Sequence, residues 1–399
     1  MEDGSDMRGT GTWRRRGRAA GALGAAVAAV AAALAPAPAA ADAPEREHGD
    51  GPPLSVDGGA WPSGHVQGAA LDEEKGHMYF SFTDTLVKTD LRGEVIGTVT
   101  GLTGHLGDLD FNDRDGRVYG SLEYKAAEAF YIAIFDGDRI TRTGMDAEED
   151  RVLTTVHLDE VVEDYTADMD GDGVFDGNVA DTADHRYGSS GIDGVAFGPA
   201  FGRGGGREVL TVAYGVYSHP GRADNDHQVL LQYDTSGWRR YERPLDQDAP
   251  HTSGPPRVEG KFFVYTGNTT YGVQNLEYDA RTGDWFMAVY KGVKPHFPNY
   301  SLYVVDGSRP PVRGTIRGQE DDEQGLLLAL REDGLLHGES GVRGWESGGQ
   351  YGLVSLDDGH FYVVERGRRT EDGVTLETGV AHLNRWTART PDPFTPVTG

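Results

Sequence analysis

One spacing recurs in this chain and restricts it more than any other feature. Eight positions after Asp108 stands Gly116, and the strand-like run Val118–Leu122 follows. The same step leads from Gly68 to Gly76 and Met78–Phe82, and from Asn275 to Gly283 and Trp285–Val289. A glycine at that place suits a hairpin residue with φ > 0, which it adopts without steric cost. Two looser copies exist. Ile192–Phe197 leads through a Gly-rich loop to Glu208–Tyr214, and Tyr351–Leu356 leads through Asp358 and Gly359 to Phe361–Val364. A third apolar strand ending on Asp follows as Leu86–Asp90, Tyr131–Asp136, Val229–Asp234 and Leu302–Asp306. The last copy offers Val380–Trp386, with Asn384 in the Asp place. A fourth strand is visible as Val95–Val99, Val152–Val156 and Val312–Ile316.

Short strands with turn signals at regular spacing predict an all-β repeat fold. Four strands per unit and several units predict a β-propeller, in which radial repetition leaves only short edges. Five units begin near Gly68, Asp108, Gly194, Asn275 and Gly352. Six or seven stay open, because the long stretches after Phe135 and Trp238 have room for a degenerate copy. The fifth unit lacks an outer strand of its own. Leu54–Val56, ahead of the first unit, is expected to supply it and close the ring. The propeller is expected over 54–386, with an acidic insertion at 158–190 around a short helical stretch near Leu158. A flexible Pro-rich tail is expected at 387–399.

The N-terminus predicts the destination. Arg14, Arg15, Arg16 and Arg18 precede the alanine-rich run Ala19–Leu34, and Ala39–Ala41 or Ala41–Ala43 fits an A-x-A cleavage site. That order is a signal peptide over 1–43, the paired arginines favouring the twin-arginine kind. The run is shorter than the roughly 20 apolar residues a membrane-spanning helix needs. Residues 44–53 read as a disordered tether. The expected product is secreted, monomeric and without a membrane span.

Charge narrows the partners. The chain holds 37 Lys and Arg against 64 Asp and Glu, a formal charge of −27, and no cysteine. Without the first 43 residues, 32 bases face 60 acids. Such a surface repels phosphate backbones, so nucleic acid is excluded as a partner. The fold must rest on its core rather than on disulfides.

Two constellations carry chemistry. Asp168, Asp170, Asp172 and Asp176 stand at positions 1, 3, 5 and 9 of a loop with glycine at 4 and 6, which lets the Val174 carbonyl join them. Calcium takes six to eight oxygens in such loops. The run resembles the calcium loops of EF-hand, dockerin and thrombospondin-type repeats. Val179 stands where the EF-hand has a bidentate Glu, and Asp181 or Asp184 is the available substitute. The plain alternative is an acidic solvated loop. The second constellation is positional. Inner strands of a propeller begin near the channel, so His65, Gln67, His105, Asp108, Asp193, Gln274, Asn275 and Tyr351 (with Gln350) are expected to converge at its mouth. Convergent polar groups in a concavity are the default binding site. The plain alternative is that such residues serve turn hydrogen bonds.

Over about Leu54–Trp386 the repeat resembles secreted bacterial β-propellers of the gluconolactonase-like and NHL-repeat-like kind, in architecture and not in any catalytic residue. Three functions compete. The first is an extracellular binder of a small molecule, glycan, peptide or partner protein, using aromatic loops. The second is a divalent-metal hydrolase or lactonase built on His105, Asp108, Asp193 and Asn275. The third is a structural envelope protein. A Ser253–histidine pair lacks the G-x-S-x-G setting of a serine hydrolase.

Overall fold

The computed structural model describes residues 51–202 and 206–399; the expected signal peptide and most of the tether lie outside them. Strand β1 (Ser55–Trp61) opens the chain but belongs to the last blade. Blade one is β2 (Val66–Asp72), β3 (His77–Phe82), β4 (Thr85–Asp90) and β5 (Val95–Thr100), from channel to rim. Blade two is β6 (His105–Asn112), β7 (Arg117–Tyr124) and β8 (Ala129–Phe135). The pair β9 (Met145–Asp146) lies on the rim of blade one, and β10 (Leu153–His157) completes blade two. The helix α1 (Asp159–Tyr165) opens the insertion. Blade three is β11 (Ser189–Pro199), β12 (Glu208–Val216), β13 (His227–Tyr233) and β14 (Gly260–Tyr265). Blade four is β15 (Thr270–Asp279), β16 (Asp284–Tyr290) and β17 (Leu302–Val305).

Here the expectation of a fourth strand fails. Val312–Thr315 forms β18, but it pairs with β19 (Gln324–Leu327), which joins β14 of blade three in parallel. The segment is largely exposed and has no apolar face for blade four. Single bridges from Leu302 to Trp345 and from Val305 to Leu330 flank β17 instead. A small hairpin of β20 (Leu335–Leu336) and β21 (Arg343–Gly344) follows. Blade five is β22 (Leu353–Ser355), β23 (His360–Glu371) and β24 (Val374–Trp386), with β1 as its outer strand. The N-terminal closure is therefore present: Val56 pairs with Ala381 and Asp57 with Val380. The last residues differ from expectation. Strand β25 (Phe394–Pro396) pairs with β24, and Phe394 is buried against Phe361 and Trp386.

The ring follows from side-chain alternation. Successive residues of a strand point to opposite faces, so each sheet is apolar on both. Val118 faces blade one and Tyr119 faces blade three. Five apolar clusters result, one for each pair of neighbouring blades, and the fifth seals blade five to blade one through Val56, Phe80, Tyr362 and Leu383. The stretches after Phe135 and Trp238 hold no further blade. Gly76, Gly116 and Gly283, the equivalent hairpin glycines, have φ of 65°, 69° and 76°. Among the described residues no helix is long and apolar enough to cross a membrane.

Candidate functional site

The inner strands do more than line the channel. Each of β2, β6, β11 and β15 breaks register against its neighbour: at Val66–Gly68, at Leu106–Leu109, at Ser189–Gly191 and Ile192–Val195, and at Thr270–Asn275. An extra residue in one strand re-aims the side chains beside it. Gln67, Asp108, Asp193 and Gln274 all sit in these breaks.

The breaks gather polar groups from every blade. His65 Nε2 stands 3.0 Å from the Tyr290 hydroxyl, and its ring meets Tyr351 edge-on. Gln274 Nε2 donates to Asp193 Oδ2 at 2.9 Å. Asp193 Oδ1 lies 3.8 Å from His105 Nδ1, which lies 3.6 Å from Glu123 Oε1. Lys125 Nζ is 3.0 Å from that same Glu123 oxygen. Arg366 lies over the Tyr351 ring and bonds Glu377. Of the expected residues, His105, Asp193 and Gln274 thus form one group of contacts, and His65 and Tyr351 form a second around Tyr290. Gln67 donates to Thr83. Asp108 and Asn275 face other work. Asp108 Oδ2 accepts the Val195 and Leu276 amides at 3.0 and 2.9 Å, and Asn275 donates to the Gln67 carbonyl. They join blades two, three, four and one to each other. Glu123, Lys125, Tyr290 and Arg366 escaped the sequence reading because they lie on or just after second strands. The register held the signal: His105 pairs with Glu123.

Burial sets the protonation states. It raises the Asp193 carboxyl well above the ordinary range, and the Glu123 charge adds to this. It lowers His105, against the pull of Glu123. His65 falls to about 4 through burial, with Arg366 and His105 helping. The mouth at neutral pH therefore presents neutral imidazoles beside an Asp193 carboxyl that burial biases towards its protonated form. Beside Tyr290 a cleft of about 440 Å³ opens, bordered also by Lys291, Ser301, Glu346, Gln350 and Asp392.

Further down the channel, burial pushes Asp110 up to about 7 and Glu277 well above its usual value. These carboxyls accept amides of the next blade, Phe197 N and Ser355 N. A folded pKa above the unfolded one means that stability is present in the protonated form and is lost as pH rises through the folded value. The depressed histidines oppose this below their ordinary pKa near 6.5. Stability is expected to rise from pH 8 to pH 6.5, by about 1 kcal/mol from Asp110 alone, and then to level off. Chemical denaturation across that range measures it, and Asp110→Asn should flatten the slope. A flat or falling curve in the wild type contradicts the assignment.

The acidic loop is formed in part. Oxygens of Asp168, Asp170 and Asp172 lie within 4.8 Å of one another, and all three residues are exposed; among the described residues this is the one His or acid group so placed. Asp168 accepts the Gly171 and Gly173 amides. Asp176 is turned to the Thr182 hydroxyl, and Val174 is exposed. Asp184 is buried and holds the Met169 and Asp176 amides, and Asp181 lies 3.5 Å from His219. The loop's foot is tied to blade three by Asn178, which accepts the Tyr217 hydroxyl.

Of the aromatics near the loops, Tyr187, Tyr214, Tyr217, Trp285, Tyr300 and Trp345 are buried as packing residues, Phe297 is half-buried, and Tyr271 is 52% exposed. Ser253 donates its hydroxyl to the Tyr241 carbonyl and not to a histidine.

Fold and site together define a class, a five-bladed β-propeller with a polar, partly buried mouth on its central channel. No family model matches the chain, and no curated protein matches it. Among solved structures it is similar to the Dos1 propeller (9% identity, 79% of this chain and 78% of that one, TM-score 0.30). It is also similar to Sqt1 of Saccharomyces cerevisiae (13%, 77% and 55%, TM-score 0.29) and to a protein of unknown function from Bacteroides caccae (10%, 67% and 86%, TM-score 0.26).

Proposed function

We propose that the chain is an exported β-propeller that binds a small polar ligand at the channel mouth and calcium in its Asp168–Asp172 loop. One observation carries the first part: the contacts His105–Asp193 and Asp193–Gln274 tie blades two, three and four together, and His65–Tyr290 ties blade one to blade four. The cleft beside Tyr290, bordered by Lys291, Ser301, Glu346 and Gln350, is of a size that suits a small molecule. The burial of the loop aromatics removes the support for a broad glycan platform. The metal-hydrolase reading needed His105, Asp108, Asp193 and Asn275 to meet, and Asp108 and Asn275 are engaged between blades. Thermal-shift screening against amino acids, amines, sugars and nucleosides tests the mouth. A hit should raise the Tm, and His105→Ala should abolish the rise. Absence of any hit in a cooperatively melting protein sinks the reading.

Calcium in the loop is expected to act structurally, by ordering the insertion between Leu158 and Ser190. Chelator should lower the Tm of the purified wild type, and Asp172→Ala should remove the response to chelator. A wild-type melt indifferent to chelator and to added calcium removes this part.

A further inference from the structure

At the cleft beside Tyr290, blade four ends in β17 with no fourth strand, and the chain crosses to blade five along Glu346–Tyr351. Two groups of opposite charge border the cleft. Lys291 Nζ, just past β16, stands 2.6 Å from Glu346 Oε2 on the crossing. Glu346 is held from behind. Ser301 donates its hydroxyl to Oε2 at 3.3 Å and accepts the Ser347 amide at 2.8 Å, and the Glu346 amide donates to the Pro391 carbonyl. The other carboxylate oxygen, Oε1, accepts no hydrogen bond among the described residues. Neither does Oδ2 of Asp392, whose Oδ1 takes the Phe394 amide. Lys291 keeps N–H donors beyond the ion pair. Beside them the cleft is open: a β-carbon on Gly348 would meet nothing within 4 Å.

Resting on the binding reading above, we infer that this cleft recognises a neutral sugar ring, with a pair of vicinal hydroxyls straddling the Lys291–Glu346 ion pair. One hydroxyl donates to Glu346 Oε1, and its neighbour accepts from Lys291. The ion pair is already balanced, so a neutral ligand uses both members without parting them. An anion would face both Glu346 and Asp392. A cation or a zwitterion would have to draw Glu346 away from Lys291. A carboxylate only accepts and an ammonium only donates, so side by side they call for neighbouring ligand groups that can do either, and hydroxyls do both. Bonds to charged partners are also the stronger kind. Val289 and Tyr290 line the wall and offer apolar surface to the C–H face of a ring. A volume of about 440 Å³ lies near the small end of ligand sites, which suits a single sugar unit and needs no platform of exposed aromatics.

The test titrates the methyl pyranosides of glucose, galactose and mannose into the purified protein, followed by saturation-transfer NMR, with the uronic acid and amino-sugar analogue of each. At least one neutral glycoside should bind, about tenfold or more tightly than its charged analogues, the worth of one charge-assisted hydrogen bond. Glu346→Gln and Lys291→Met should each weaken it about tenfold. Gly348→Phe should abolish binding while the melting temperature holds, because Gly348 has a φ of −94°, which suits any residue, and its side chain would enter open space. A disaccharide that binds more tightly than its terminal unit marks a glycan end as the source, and one that does not marks a free sugar; either agrees with the inference. Tighter binding of an amino sugar or uronic acid, or undiminished binding by Glu346→Gln or Lys291→Met, overturns it. If no glycoside binds but another small molecule gives a thermal shift that His105→Ala abolishes, the inference falls and the binding reading stands. If nothing binds, both fall.

Discussion

Val56→Asp is expected to cost about 4 kcal/mol or more, or to prevent the protein from accumulating in folded form. Val56 is fully buried among Phe80, Tyr362 and Leu383, on the strand that closes the ring. Its backbone pairs with Ala381, and the neighbouring Leu54 carbonyl accepts the Leu383 amide. A carboxylate there has no cation within the cluster and must either stay charged in an apolar wall or take up a proton. It also opens the seam between the first and last blades, whose loss leaves β24 with an unpaired edge. Ser55→Asp is the control, one residue away on the exposed face, and should stay within about 0.5 kcal/mol of wild type. Urea unfolding followed by circular dichroism measures both. Equal, small losses would mean that the N-terminal strand is an accessory and the ring is held elsewhere.

That seam was legible in the sequence because its logic is local: a unit one strand short, and a spare strand at the other end of the chain. The hairpin glycines were legible for the same reason, since a fixed step from Asp108 or Asn275 to a residue with positive φ needs no tertiary information. Val312–Thr315 was not. Its strand character was readable, but its sheet was decided by a parallel pairing between Gln324–Leu327 and blade three, which no local pattern announces. The tail misled for a related reason. Its prolines look like the mark of a frayed end, while Phe394 finds a slot beside Trp386 that exists only after the last blade is built. At the mouth, the residues that begin inner strands were found by position. Glu123, Lys125, Tyr290 and Arg366 needed the register of the second strand, and the bulges that shift this register depend on how neighbouring blades meet. Asp108 was found and given the wrong task. Its type and position matched those of Asp193, and the difference between them is what their oxygens touch.

That difference is large enough to measure. Asp108→Ala is expected to lower stability by about 3 kcal/mol, because it strands the Val195 and Leu276 amides, each worth roughly 1–3 kcal/mol when buried and unpaired. Relief from burying the carboxyl itself, whose pKa burial raises well above its normal value, offsets part of the loss. Asp108→Asn keeps an oxygen facing both amides and should retain most of the stability at pH 7. Room is not the issue: the backbone of blade one sits tightly against this residue, a β-carbon on Gly68 coming within 2.7 Å of the Asp108 Cα, and neither variant adds bulk. The ordering wild type, then Asn, then Ala in denaturation midpoint is the signature of an acceptor that joins blades. A ligand-binding role predicts the reverse emphasis, with little loss of stability and an abolished thermal shift at the mouth. Should Asp108→Ala melt like wild type and fail to respond to a mouth ligand, Asp108 belongs with His105 and Asp193 after all, among the groups that face the opening and not among those that hold the ring.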